Sequence, residues 1–304
     1  MEYKIQTLVF PTEEKHQDCR KLFYRGDHGI LDRSKKILTL GFGQRSDFVT
    51  YLNAVSYRKW KKYTHAGQLT LHLDVEGDFR ALFLGYHKDV LTVSRVEFAE
   101  QDFIEKGKRR REIAYTFPEN DEQMVGFELS ALSENIKIYG GYYTVEAKKK
   151  DLNDIKLSLA TTTFAKEDFI TKNVSLLKSE ILDSDDDIAK NFYLHIVDNG
   201  RTLKPEDVFT KFNKETFKVG DTAKSSDGRI FLHPNKNVGG SGGFARGMIE
   251  SLKQDDVTHV LLMDDDVLVL PESIRRTYNL LRLQKDEYKG NFISGAMLYY
   301  ENPR

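Results

Sequence analysis

The sequence predicts an α/β chain in two parts, an antiparallel β-sandwich of jelly-roll-like character over residues 1–150 and a parallel sheet covered by helices over residues 151–304. Three observations predict it. Segments of period-two alternation fill the first part, strands and helices take turns in the second, and one apolar strand runs out into three consecutive carboxylates, Asp264-Asp265-Asp266. The change of period falls near Lys148-Lys149-Lys150-Asp151.

Taken in order, residues 68–75, 79–84 and 137–145 alternate apolar with polar side chains, and Glu76-Gly77-Asp78 supplies a turn. Alternate side chains of a strand point to opposite faces, so such segments bury one face only and need a second sheet opposite. Beyond the boundary, residues 157–164 read as a strand and 167–181 as an amphipathic helix. Residues 192–197 and 229–232 are further strands, 244–253 a further helix, and 259–263 a short buried strand. Pro271-Glu272-Ser273 opens a helix, and residues 292–298 read as a last strand.

Composition excludes several function classes. The 304 residues are 39% hydrophobic and 31% charged, ordinary for a globular chain long enough for two cores. A net charge of −1 removes the electrostatic case for nucleic acid. No apolar run is long enough to span a bilayer and Met1-Glu2-Tyr3-Lys4-Ile5-Gln6 lacks a signal-peptide core, so a cytoplasmic location is expected, with peripheral association at the inner membrane face compatible with it. The single cysteine, Cys19, allows neither an internal disulfide nor a cysteine-built zinc site and reads as a buried bystander.

Three adjacent carboxylates leaving an apolar strand are tolerable together only beside a cation, and oxygen donors of this kind suit Mg²⁺ or Mn²⁺ carrying a phosphate. Asp185-Asp186-Asp187 reads instead as a solvated run between a helix and a strand. Three loops follow strand carboxyl ends and fall on one sheet edge. They are Thr161-Thr162-Thr163-Phe164-Ala165-Lys166, then Val197-Asp198-Asn199-Gly200, then Asn235-Lys236-Asn237-Val238-Gly239-Gly240-Ser241-Gly242-Gly243. The first offers hydroxyls and a cation, the second an acid in a tight turn, the third helix-leading amides that favour an anion. Together with the triplet they point to a nucleotide-diphosphate site. Gly240-Ser241-Gly242-Gly243-Phe244-Ala245 also fits the dinucleotide pattern, the mark of an NAD-type oxidoreductase, but His233 to Val238 intervene between the strand ending near Leu232 and the glycines, and one acid would suffice there. A P-loop is excluded because no Gly-Lys-Ser or Gly-Lys-Thr follows.

The order Thr-Thr-Thr-Phe, Val-Asp-Asn-Gly, Asn-x-Gly-Gly-Ser-Gly-Gly and Met-Asp-Asp-Asp resembles that of family-two glycosyltransferases with the GT-A fold, and within them the bacterial galactofuranosyltransferases that polymerise galactan. Residues 237–246, 262–267 and 50–60 look like signatures of that group, so the resemblance covers both parts. It implies a β-sandwich followed by a GT-A domain, and transfer of a sugar, galactofuranose by preference, from a UDP-sugar to a glycan or lipid-linked glycan with inversion. It further implies that the backbone around Thr162 and Thr163 lines the uracil pocket and that Lys166 stands where the family usually has an arginine facing the diphosphate. Asp198 would contact the uridine, Asn237 with Gly239 and Gly240 would approach the sugar nucleotide, Asp264 and Asp266 would hold the metal, and Asp265 would meet ribose or sugar. The metal, Mn²⁺ or Mg²⁺, would neutralise the leaving diphosphate. Self-association is compatible with all of this.

An inverting transferase also needs a carboxylate base, which in the family lies well after the triplet. Glu272, Asp286, Glu287 and Glu301 lack a setting for that role, and no histidine follows His259. The expectation is therefore that the base lies beyond Arg304 and that this chain alone is inactive. A second reading makes the chain a carbohydrate-binding or assembly module without turnover. Tyr51, Tyr57, Trp60, Tyr63, Tyr142 and Tyr143 are its candidate stacking residues, although such aromatics more often form a sandwich core. His65, His72 and His87 are too dispersed to argue for a metal cluster.

Overall fold

The computed structural model describes residues 1–12, 19–27, 29–105, 109–210, 217–218 and 220–298. The chain forms two compact units, Met1–Asn153 with the segment starting at Leu283, and Asp154–Arg282.

The first unit contains strands β1 (Glu2–Thr7), β2 (Arg25–Gly26), β3 (Ile30–Asp32), β4 (Ile37–Leu40) and β5 (Arg45–Asp47), then helix α1 (Tyr57–Tyr63). After it come β6 (Leu69–Glu76), β7 (Phe79–Lys88), β8 (Val93–Phe103), β9 (Arg110–Thr116), β10 (Met124–Ala131) and β11 (Ile136–Glu146). They make two antiparallel sheets, ordered β3-β4-β11-β6-β9 with β1 also on β11, and β2-β5-β10-β7-β8. Alternation decides the core. Leu69, Leu71, Leu73 and Val75 are buried along β6, Phe79, Ala81 and Phe83 along β7, and Val125, Phe127 and Leu129 along β10. Phe127 stacks on Phe48 with ring centroids 4.7 Å apart. Tyr57, Trp60 and Tyr143 belong to this interior, whereas Tyr51 is exposed. Cys19, expected to be buried, is only half-buried.

Residues from Leu283 on group with this unit, although the sequence assigned all of 151–304 to the second. The last carbonyls of a helix lack intrahelical donors. Lys285 supplies them for α1, its ammonium donating to Lys61 O at 2.9 Å and Lys62 O at 3.0 Å, while His65 N donates to Leu283 O. Tyr288 packs edge-on against Tyr63. Residues 292–298 have no regular structure and Phe292 is fully exposed, so the expected last strand is not formed.

The second unit contains β12 (Leu157–Thr163), α2 (Glu167–Leu177), β13 (Phe192–Asp198), α3 (Pro205–Phe209), β14 (Phe217–Lys218), β15 (Ala223–Ser225), β16 (Ile230–Pro234), α4 (Gly239–Leu252), β17 (His259–Asp264) and α5 (Pro271–Leu283). Its sheet runs β14-β15-β16-β13-β12-β17, with β16, β13, β12 and β17 parallel. Leu159, Ile170, Val174, Leu194, Ile196, Phe209 and Tyr278 lie in its core. The strand expected to be buried, β17, is instead at the sheet edge, where Leu261 and Met263 pack on the core and Leu262 is 47% exposed. The acidic run at 185–187 is not simply solvated: Asp186 accepts from Arg275 Nε at 2.8 Å and Asp187 from Tyr278 Oη at 2.8 Å, tying α5 down.

Two histidines lie inside the sheet. His195 Nδ1 on β13 is 3.0 Å from His233 Nε2 on β16, and His233 Nδ1 is 3.0 Å from Thr222 Oγ1. Burial, then the neighbouring His233, pushes His195 down to about 3. Burial pushes His233 down to about 4, with Glu250 on α4 opposing the shift. Both are therefore neutral in the fold, while the unfolded chain takes up their protons near the ordinary histidine value of about 6.5. Stability should be constant above that pH and fall as pH drops through the window between about 6.5 and 4, by up to about 1.4 kcal/mol per pH unit per histidine. Denaturant unfolding from pH 7.5 to pH 5.5 should register this loss, and pairing His195→Phe with His233→Leu should flatten it.

Candidate nucleotide-sugar site

The register of the parallel sheet assembles the site. Thr163 at the end of β12 pairs with Asp198 at the end of β13, and Thr162 pairs with Asp264 at the end of β17. Parallel strands end together, so the loops after β12, β13, β16 and β17 emerge at one edge, where open α/β sheets bind ligands. Thr162, Thr163, Asp198 and Asp264 are thus brought together by backbone pairing.

Three of these four loops hold a residue at positive φ. Ala165 after β12 and Arg201 after β13 both have φ of 53°, and Gly239 after β16 has φ of 78°. The left-handed region costs a residue with Cβ about 1–2 kcal/mol, a cost that tends to collect at functional loops. Hydrogen bonds hold the loops in place. Asn199 Nδ2 donates to Gly239 O at 3.1 Å, Asn235 Nδ2 to Asn199 Oδ1 at 2.8 Å, Arg201 Nε to Asn235 O at 3.1 Å, and Asn235 N to Asp198 O at 2.9 Å. Asn173 on α2 donates to the carbonyls of Asp265 and Val267 at 3.2 and 3.0 Å, fixing the triplet's backbone. Sequence reasoning passes over Asn173, Asn199 and Asn235, because an Asn beside Gly or on a helix carries no signal of a partner remote in the chain.

The expected residues occupy different settings. Asp198 is 1% exposed, and its carboxylate accepts from Gly200 N at 2.9 Å and Leu203 N at 2.8 Å. It therefore shapes its loop, where the sequence expected it to face a nucleotide. Asn237 accepts from Gly239 N at 3.0 Å and starts the third loop's turn. Gly239 and Gly240 are the first two residues of α4, so the glycine run expected as a loop is already helical, five residues before Phe244. Gly240 has open space around its Cβ position. Lys166 Nζ lies 3.6 Å from Asp266 Oδ2, which puts the loop's cation beside the triplet. Asp264 and Asp266 are exposed and Asp265 is half-buried.

One feature suits a ligand. The hydroxyls of Thr161, Thr162 and Thr163 are buried without a hydrogen-bond partner, and leaving such a group unpaired costs about 1–3 kcal/mol. Among the described residues no three His, Cys, Asp or Glu side chains gather into a metal cage.

Why glycine fills the start of α4 follows from packing. A Cβ on Gly243 would stand 2.1 Å from Thr162 Cγ2 and 2.9 Å from Asn199 Nδ2, and one on Gly247 would stand 2.9 Å from Ala160 Cβ. Gly243→Ala should therefore destabilise the chain by about 1–3 kcal/mol through overpacking. Gly240→Ala, in open space, should be neutral or slightly stabilising. Chemical denaturation midpoints of the two variants separate these outcomes; equal midpoints would reject the packing account.

Comparison with known proteins places the chain. Residues 5–144 match the family model described as Galactofuranosyltransferase 2 N-terminal. The galactofuranosyltransferase GlfT2 of Mycolicibacterium smegmatis is 23% identical over 98% of this chain and 44% of its own length. GlfT2 of Mycobacterium tuberculosis is 24% identical over 98% of this chain and 45% of its own. The chain thus spans under half the length of these relatives. Among solved structures, the CBM22-1 and GH10 modules of Clostridium thermocellum xylanase 10B align at 10% identity over 75% of this chain and 43% of theirs, with a TM-score of 0.30, too low to argue from. The family match over the sandwich and two alignments that run through the second unit make the chain similar to galactofuranosyltransferases along both of its parts.

Proposed function

We propose that the second unit is the donor-binding part of a metal-dependent, inverting galactofuranosyltransferase that takes its sugar from a UDP-sugar and passes it to a glycan or lipid-linked glycan. The observation that carries this reading is the pair of partnerless hydroxyls of Thr162 and Thr163 at the carboxyl end of β12, beside Asp198 and Asp264, at the edge where the loops meet. A nucleobase offers those hydroxyls the partners they lack. The helix start at Gly240 presents backbone without a side chain and with open space at its Cβ position, suited to a close sugar or phosphate. Lys166 stands beside Asp266, where it would meet the diphosphate as a point charge. Asp265 would reach the ribose or sugar, and Asp198 and Asn237 act by holding the loops. Mg²⁺ or Mn²⁺ held by Asp264 and Asp266 would offset the charge that develops on the leaving diphosphate. Among the described residues no helix is long and apolar enough to cross a membrane, so contact with a lipid-linked acceptor would be peripheral.

Calorimetric titration with UDP tests the reading. Affinity should fall at least about tenfold, a loss of ~1.4 kcal/mol, when metal is chelated or when Asp264→Ala or Asp266→Ala is introduced. Thr162→Val should weaken UDP as well, and NAD should show no saturable binding. Equal UDP affinity with and without metal sinks the metal role, and NAD binding in place of UDP would establish the dinucleotide alternative.

A further inference from the structure

The outer face of the β3-β4-β11-β6-β9 sheet carries a feature that the donor site does not use. The pairing of β11 with β6 slips between Ile138 and Gly140, which makes Tyr139 an extra residue. In a regular strand Tyr139 and Tyr142, three positions apart, would project to opposite faces. The bulge puts both on the outer one. Tyr139 Oη donates to Glu76 Oε2 at 2.7 Å, and Tyr142 Oη to Glu112 Oε1 at 3.4 Å. Two glycines make this possible. Gly140 has φ of 148° with nothing within 4 Å of its Cβ position, and a Cβ on Gly141 would come 2.5 Å from His72 O.

Both rings are ordered before any ligand arrives. Tyr142 lies parallel to the His72 imidazole, with centroids 4.5 Å apart and planes 7° apart. That imidazole is buried, 3.3 Å from Glu112 Oε1 and 3.1 Å from Thr144 Oγ1. The Arg110 guanidinium sits 4.1 Å from the Tyr139 ring centroid and donates through Nε and a terminal nitrogen to Asp74. Between the rings the floor is the open ground over Gly140. Glu76 and His72, which mark the two rings, are four residues apart on β6, roughly 13 Å at about 3.3 Å per residue, or about two to three sugar units.

Flat aromatic faces accept the C–H faces of sugar rings, while paired carboxylates and a guanidinium exchange hydrogen bonds with vicinal hydroxyls. Acids and bases are already paired across this surface, so it selects for hydroxyls over net charge. We propose that this face binds an uncharged glycan chain, with sugar rings against Tyr139 and Tyr142 and hydroxyls bonded by Asp74, Glu76, Arg110 and Glu112. Preordered side chains keep the entropy cost of binding low. The site is separate from the donor site and stands whether or not the second unit binds UDP.

Titration of the full chain with neutral hexasaccharides tests it, using a galactofuranose hexasaccharide, cellohexaose and xylohexaose as probes. At least one should bind saturably. Tyr142→Ala and Tyr139→Ala should each weaken it roughly tenfold, the loss of one aromatic contact. Glu112→Gln, which keeps the shape, should weaken it less, and Tyr51→Ala, an exposed tyrosine elsewhere, should leave it unchanged. UDP affinity on the same samples should be unaltered, which separates failure here from failure at the donor site. Retained melting temperature in Glu112→Gln guards against loss by unfolding. Absence of saturable binding by all three sugars overturns the proposal. So does binding that neither tyrosine variant weakens, and so does concentration-dependent self-association that these variants abolish in the absence of sugar.

Discussion

The second unit depends on how closely α4 approaches β12. Gly243 and Gly247 lie against Thr162 and Ala160 at distances that leave no room for Cβ atoms. A helix this near the strand sets its own N-terminus beside the strand's carboxyl end. The first turn of α4 and the end of β12 consequently lie at the same edge. The cost is conformational, since each glycine in a helix interior gives up about 1 kcal/mol relative to alanine. The run is tolerable because tight packing against the sheet offsets it, and because its first residues supply bare backbone where a ligand would approach.

From that approach the rest of the site follows. Asn199 lies between the helix start and the second loop, and Asn235 lies between the second loop and the third. Asp198 spends its carboxylate on its own turn, which leaves the ligand to the backbone that it shapes. Strain at Ala165 and Arg201 persists because these contacts over-determine the loops. Under the same sheet, the neutral His195 and His233 pair fills the interior with polar atoms that bond to one another and to Thr222.

The first unit carries its exception on the outside. In its interior the large apolar side chains recur at every second position, as at Leu69, Leu71, Leu73 and Val75 on β6 and Val125, Phe127 and Leu129 on β10. On β11 alternation fails at Tyr139, where Gly140 and Gly141 absorb the extra residue. A local rule broken at a position that exposes two aromatic rings is better explained by a surface function than by packing, since the rings contribute nothing to the core.

The sequence by itself determined the two periodicities, the strands β6, β7, β11, β12, β13, β16 and β17, and the emergence of the loops after the parallel strands at one sheet edge. Periodicity is a local property, so it can be read from residue order, and the alternation of strand with helix implies a parallel sheet. The tertiary structure alone decided that the glycine run is helical, because the reason is Thr162, some eighty residues earlier. It alone decided that Asp198 faces its own loop, that β17 is an edge strand, and that Lys285 returns to cap α1. It also sorted the tyrosines, burying Tyr57 and Tyr143 while leaving Tyr142 flat on the outer sheet. Each of these rests on a partner distant in sequence, and the identity of such a partner is fixed only when the chain packs.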